Sequence, residues 1–322
     1  LKHQRPAAGR PAPRAMAAQE LHSAGALESL RVETELFRQG LQSAGLAGAA
    51  AAAADASSGR VRVLAAAATS EDGAPRPLAP GEKRVHLVRH GQGFHNLLSD
   101  MYRERGKTFD AQSGVGGASN PYCRVEVLDS PLTEVGRRQA RALQPAARRL
   151  APELVVVSTL TRATQTALLA FAHLVEGPRT KVPFVAHDGC HEIAGVHACD
   201  RRRSLTELRQ DFPQVDYSQT DLAEEDPFWS ETERETLPHL AGRGLEFLLW
   251  LRKRPEAEVV VVAHFAWLMT LMNAVVECSE PELSNGFRTG ELRSLVLRFE
   301  GGDGGGDAPS EGTSKRQRTA CV

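Results

Sequence analysis

The chain has 322 residues, 41% of them hydrophobic and 25% charged, with a formal net charge of −1. That is enough apolar material for a sizeable core, and so even a charge balance gives no general attraction to nucleic acid or to an anionic membrane. Five widely scattered cysteines (Cys123, Cys190, Cys199, Cys278 and Cys321) do not read as a disulfide framework and fit a reducing, cytoplasmic setting.

Residues 1–19 carry Lys2, Arg5, Arg10 and Arg14 and no acid, a composition shared with transit peptides, and read as a disordered leader without an address. Leu27, Leu30, Phe37 and Leu41 recur at helical spacing and predict a helix over 20–41. Residues 44–59 are an alanine-rich low-complexity stretch, and 71–82 form a Pro/Gly-rich linker. Residues 1–82 are therefore expected to be a mostly disordered extension, with the folded domain spanning 83–300. Residues 301–322 are glycine-rich and polar, a solvated tail in which KRQR (315–318) is too short to carry nuclear entry.

Within 83–300, predicted strands at 84–88, 154–158, 182–186, 258–263 and 292–299 alternate with predicted helices at 134–150, 161–174, 203–211, 233–253 and 265–277. This pattern predicts an α/β fold with a mainly parallel central sheet flanked by helices on both faces. Residues 98–128 lack periodicity, contain SGVGGASNPY and are read as a long surface loop. Val259–Val276 is apolar enough to approach a membrane span, but it switches from β-branched to Leu/Met-rich and holds His264 and Asn273. A buried strand feeding a buried helix accounts for that switch.

The chemistry collects at strand ends, where open α/β sheets bind ligands. The first strand ends in Arg89-His90-Gly91, and the fourth ends in Ala263-His264. The strand at 154–158 runs into TLTRATQTA, which places Arg162 at a helix N-terminus, a favourable place for an anion. Two arginines and two histidines at one sheet edge make a phosphate-sized anion site in which a neutral His90 can attack phosphorus. Glu192, just past the strand at 182–186, is the candidate acid for the leaving alkoxide. Arg201–Arg203 read equally well as anion ligands or as a solvated helix start. His187, Cys190, His191, His197 and Cys199 are rich in donors but match no paired zinc spacing, so no metal and no cofactor is expected. No P-loop, dinucleotide fingerprint or nucleophile elbow is present.

The segments LVRHGQGFHN, LTEVGRRQA, STLTRATQTA, CHEIAGVHACDRRRS, VVAHFAWL and GELRS together resemble the histidine phosphatase superfamily over residues 83–300, in particular its phosphoglycerate-mutase-like proteins of plants, fungi and algae. The resemblance implies a phosphoglycerate-mutase-like fold and a phosphomonoester hydrolase. His90 would be the phosphorylated nucleophile, Arg89, Arg162 and His264 the phosphoryl ligands, and Glu192 the acid/base. Asn96 would help contact phosphate or substrate, and the Gly91 carbonyl would orient the His90 ring. The partner implied is a phosphorylated small molecule, with neither nucleic acid nor membrane. A phosphoglycerate-type mutase, or a non-catalytic phosphate-binding protein on the same fold, are the alternatives. Phe265-Ala266 after His264, and His191 in a slot often held by arginine, depart from the pattern.

Overall fold

The computed structural model describes residues 24–46, 61–69, 74–107, 109, 120–175 and 182–301. The expected leader at 1–19, most of the alanine-rich stretch, the tail with KRQR and the centre of the 98–128 segment lie outside the described residues.

Among the described residues, seven strands form one sheet: β1 (Arg62–Ala67), β2 (Lys83–Arg89), β3 (Leu154–Val157), β4 (Phe184–Ala186), β5 (Glu258–Ala263), β6 (Val276–Cys278) and β7 (Leu292–Glu300), in the order β4-β3-β5-β2-β7-β1-β6. β4, β3, β5 and β2 are mutually parallel, while β7 runs antiparallel to both β2 and β1. The parallel strands are runs of valine and leucine because both their faces are covered. Val85, Leu87, Val259 and Val261 point into one core, with Phe247 and Trp267. Val88, Val155, Val157, Val260 and Val262 point into the other, with Phe171 and Phe184. Among the described residues, seven α-helices of six residues or more accompany the sheet: α1 (Ala24–Ser43), α2 (Phe94–Glu104), α3 (Glu134–Ala142), α4 (Thr161–Ala170), α5 (Leu205–Asp211), α6 (Leu237–Lys253) and α7 (Phe265–Thr270). Among the described residues no helix is long and apolar enough to cross a membrane.

Four expectations need correction. The sheet begins upstream of Lys83: β1 pairs with β7 and β6 through an alanine-rich segment too bland to read as a strand. The helix expected at 134–150 breaks at Leu143, because Pro145 offers no N–H and its ring clashes with the preceding turn. The helix expected at 265–277 ends in a π turn at Leu271–Val275 and gives way to β6, since β-branched Val276 finds a strand partner in β1. The loop expected at 98–128 contains most of α2 and then two 3₁₀ turns, Pro121–Cys123 and Val125–Val127. In α2 the buried residues are polar, His95 and Ser99, whereas Phe94, Leu97 and Met101 are exposed.

Helix α1 is docked rather than free. Phe37 and Leu41 are buried, and the Phe37 ring meets Phe265 edge-on at 5.9 Å. Arg38 donates to Asn273 Oδ1 at 3.2 Å and to the Ser284 carbonyl at 3.1 Å. Leu41→Ala is expected to destabilise the protein by about 2–5 kcal/mol. Leu36→Ala, at an exposed position of the same helix, should change stability by less than about 0.5 kcal/mol. Urea denaturation of the two variants checks the contrast; equal effects would mean that α1 does not belong to the core.

Candidate active site

The parallel register places Arg89 opposite Ala263 and Val157 opposite Val262, so the residues that follow, His90, His264 and Ser158, emerge side by side at one sheet edge. The His90 N–H is fixed to the Ala263 carbonyl at 3.1 Å. Its ring Nδ1 lies 2.7 Å from the Gly91 carbonyl, which can only accept, so Nδ1 carries the proton and Nε2 the lone pair. Gly91 is required at this turn: a Cβ there would lie 2.5 Å from the Gly136 carbonyl oxygen of α3. The Gly91 N–H donates to Thr166 Oγ1 at 3.0 Å, which ties the turn to α4.

Arg162, in the first turn of α4, is buried and makes a hydrogen bond from Nε to His90 Nε2 at 3.3 Å. Its other nitrogens donate to the Cys199 carbonyl at 2.6 Å and to Asp200 Oδ1 at 2.8 Å. Burial opposes charge on Asp200, yet the His197 ring together with Arg234 and Arg162 holds its carboxyl well below the usual range. Arg89 donates to the Phe287 carbonyl at 2.7 Å and stacks on Phe265 with 4.8 Å from guanidinium carbon to ring centre; its Nε has no partner. Phe265 thus stands between Arg89 and the Phe37 ring of α1.

The His264 ring lies 5.0 Å from that of His90. Its Nε2 is 2.7 Å from Ser158 Oγ, which leaves the buried Nδ1 without a partner. Burial, and then the Arg162 charge, push both imidazoles well below the ordinary histidine range. His95 behaves in the same way: it is buried, its ring lies 5.7 Å from His90, its Nδ1 is unpartnered and its titration is pushed well below normal by burial and Arg162. The result is a buried cluster of two guanidinium groups and three neutral imidazoles, a setting suited to a dianion.

Glu192 is buried beside this group. One carboxylate oxygen accepts the Ile193 and Trp267 N–H groups at 3.0 and 3.1 Å, and the other accepts Ala266 N–H at 3.2 Å. These contacts link it to the segment that follows His264. Asn96 is half-buried, and its Oδ1 accepts the Gly93 N–H at 2.9 Å at the start of α2. Arg202 donates to the carbonyls of Ala223, Glu224 and Glu225, and Arg203 pairs with Asp129 and Asp211, so both fix loops rather than face the pocket. Arg201 instead stacks on Trp229 at 4.5 Å and lines a separate cavity of about 770 Å³ with Val125, Leu128 and Ala198. His197, Cys199 and Asp200 bring donor atoms within 4.8 Å of one another. They suit a cation poorly, because Arg162 and Arg234 already occupy the Asp200 oxygens and burial pushes the Cys199 thiol upward. His95 and Ser158 were not singled out from the sequence; both lie inside segments that were, His95 five positions after His90 and Ser158 at the end of a predicted strand.

Residues 123–305 match the family model of the histidine phosphatase superfamily (branch 1). A phosphoglycerate mutase-like protein of Arabidopsis thaliana is 32% identical over 245 residues, covering 67% of this chain and 84% of the relative. Phosphoglycerate mutase-like protein 1 of the same plant is 31% identical over 245 residues, covering 67% and 81%. The crystal structure of the alpha-ribazole phosphatase from Shigella flexneri is 19% identical with a TM-score of 0.41, covering 67% of this chain and 94% of that one.

The depressed imidazoles have a thermodynamic consequence. His90, His95 and His264 stay neutral in the fold at a pH where the unfolded chain takes up protons. Stability is therefore complete above about pH 6.5 and lost as pH falls below it, by at most about 1.4 kcal/mol per pH unit for each imidazole. The melting temperature is expected to drop between about pH 7.5 and 5.5, and to drop less in His95→Gln. A pH-independent melting temperature over that interval would contradict the neutral-imidazole pocket.

Proposed function

The chain belongs to the histidine phosphatase superfamily, and from that premise we propose that it is a phosphomonoester hydrolase working through a phosphohistidine on His90. The observation that carries the reading is the orientation of His90: Nδ1–H is held by the Gly91 carbonyl while Nε2 is turned toward Arg162. A neutral imidazole whose Nε2 lone pair meets the Arg162 Nε–H becomes a nucleophile for phosphorus once that N–H turns to an incoming phosphoryl oxygen.

In the first step Nε2 of His90 attacks phosphorus and the ester P–O bond breaks. Glu192 gives its proton to the departing oxygen, which leaves as an alcohol. Arg89, Arg162 and the unpartnered Nδ1 of His264 take the phosphoryl oxygens, whose charge they offset in a site of low dielectric. Glu192 reaches the leaving oxygen by exchanging one of its backbone donors for it. In the second step water attacks phosphorus and passes a proton to the Glu192 carboxylate. The N–P bond then breaks, returning its electron pair to Nε2 and releasing phosphate. Asn96 Oδ1 holds the Gly93 N–H in the turn that follows His90, and its side chain would contact the phosphate or the substrate. The substrate is a phosphorylated small molecule, and the route uses neither metal nor cofactor.

The test is phosphate release from a panel of phosphomonoesters, with acid-labile, base-stable phosphate trapped on the protein. His90→Ala should abolish both signals, and Arg162→Ala should lower turnover by more than about a thousandfold. Turnover should be indifferent to EDTA. Isomerisation of a phosphoglycerate without phosphate release would assign the mutase reaction that the names of the Arabidopsis relatives carry. Absence of both reactions would overturn the enzymatic reading.

A further inference from the structure

The segment that carries Glu192 is wrapped around one buried side chain. Arg243, in the second turn of α6, is 5% exposed. One terminal nitrogen donates to the Asp188, Gly189 and His191 carbonyls at 3.3, 3.2 and 2.8 Å, and the other to the Glu192 carbonyl at 3.0 Å. The guanidinium also forks onto Glu235, at 3.0 Å from Nε and 2.8 Å from the second nitrogen. Glu235 in turn accepts the Ala194 N–H at 3.0 Å, just beyond Glu192. The Glu192 carbonyl is further fixed by His191 Nδ1 at 2.8 Å.

We infer that Arg243, held by Glu235, is the positioning residue that sets the reach of the Glu192 carboxyl toward the leaving oxygen; the inference rests on the acid/base reading of Glu192. Four carbonyls of one loop, those of Asp188, Gly189, His191 and Glu192, converge on one planar cation, which ties the backbone from Asp188 to Glu192 to α6. No other side chain can substitute for this: lysine has the charge but not the fork. Burial disfavours charge on Glu235, yet the bond from Arg243 holds its carboxyl below the usual range, so the pair stays ionised in the core. Arg243 touches neither His90 nor His264; of the proposed catalytic groups, Glu192 is the one whose backbone it holds directly.

That restriction makes the role measurable. A p-nitrophenyl ester leaves as a stabilised phenolate and has little need of a proton, whereas an alkyl phosphate leaves as an alkoxide that needs one. Arg243→Lys and Glu235→Gln are compared with wild type on both esters, with Glu192→Gln as the reference. Misplacing a catalytic group by about an ångström costs about 10²-fold, so Arg243→Lys should lower kcat/KM, which reports phosphoryl transfer to His90 and not the hydrolytic step shared by both esters, by about that factor on the alkyl ester and leave kcat/KM of the p-nitrophenyl ester within severalfold. Glu235→Gln, which keeps the carbonyl contacts of Arg243, should show the same selectivity to a smaller degree and serves if the lysine variant fails to fold. If Glu192→Gln is selective in kcat/KM but Arg243→Lys and Glu235→Gln lower kcat/KM for both esters equally or for neither, the positioning role is wrong. If Glu192→Gln itself is unselective, the acid/base reading fails, and the positioning role falls with it.

Discussion

The site depends on one backbone constraint, the parallel pairing of β2 with β5 in the register that sets Arg89 against Ala263. Because strand residues alternate sides, a slip of one position would turn the histidine that follows one strand away from that of the other. The register is fixed from both faces. Val85, Leu87, Val259 and Val261 fill one core while Val88, Val260 and Val262 fill the second, so the paired strands are covered on both faces in this register. Packing of aliphatic side chains far from the reactive edge thus decides the 5.0 Å separation of two imidazoles.

Upon that edge the fold assembles charges that would be unfavourable without a guest. Arg162 has Asp200 as a counter-ion, but among the described residues no carboxylate pairs with Arg89, which rests on a carbonyl and an aromatic face. Burying a cation without an anion is costly, and the neighbouring imidazoles respond by remaining neutral. The pocket's own electrostatic deficit is what an incoming phosphoryl dianion would relieve. Affinity for the anion and neutrality of the nucleophile are in this sense the same property.

Much of this was legible in the residues. The β-branched runs at 154–158 and 258–263 announce buried strands, and the histidines and arginine that end or follow them announce the edge where ligands bind. Less was legible where local pattern and tertiary role diverge. β1 is an alanine-rich strand whose partners lie over two hundred residues away, and no window of sequence contains that pairing. Helix α2 escaped because it faces the core with His95 and Ser99 and solvent with Phe94, Leu97 and Met101, the reverse of the usual amphipathic signal. That inversion is itself informative: a helix that turns polar residues inward is facing a site, not a core. Arg243 gave no signal, since its partners are backbone carbonyls, which sequence does not distinguish.

The placement of β1 also governs the order in which the molecule can be completed during synthesis. β1 emerges early, yet both strands that flank it, β7 and β6, are among the last segments of the domain to be made. β2 likewise waits for β5 and β7. A growing chain therefore carries two unpaired strands through most of translation, with the docking face of α1 uncovered until α7 appears. Closing such distant pairs slows folding far more than it weakens the finished sheet. The alanines of β1, poor in the apolar side chains that drive premature association, suit a strand obliged to wait so long for its neighbours.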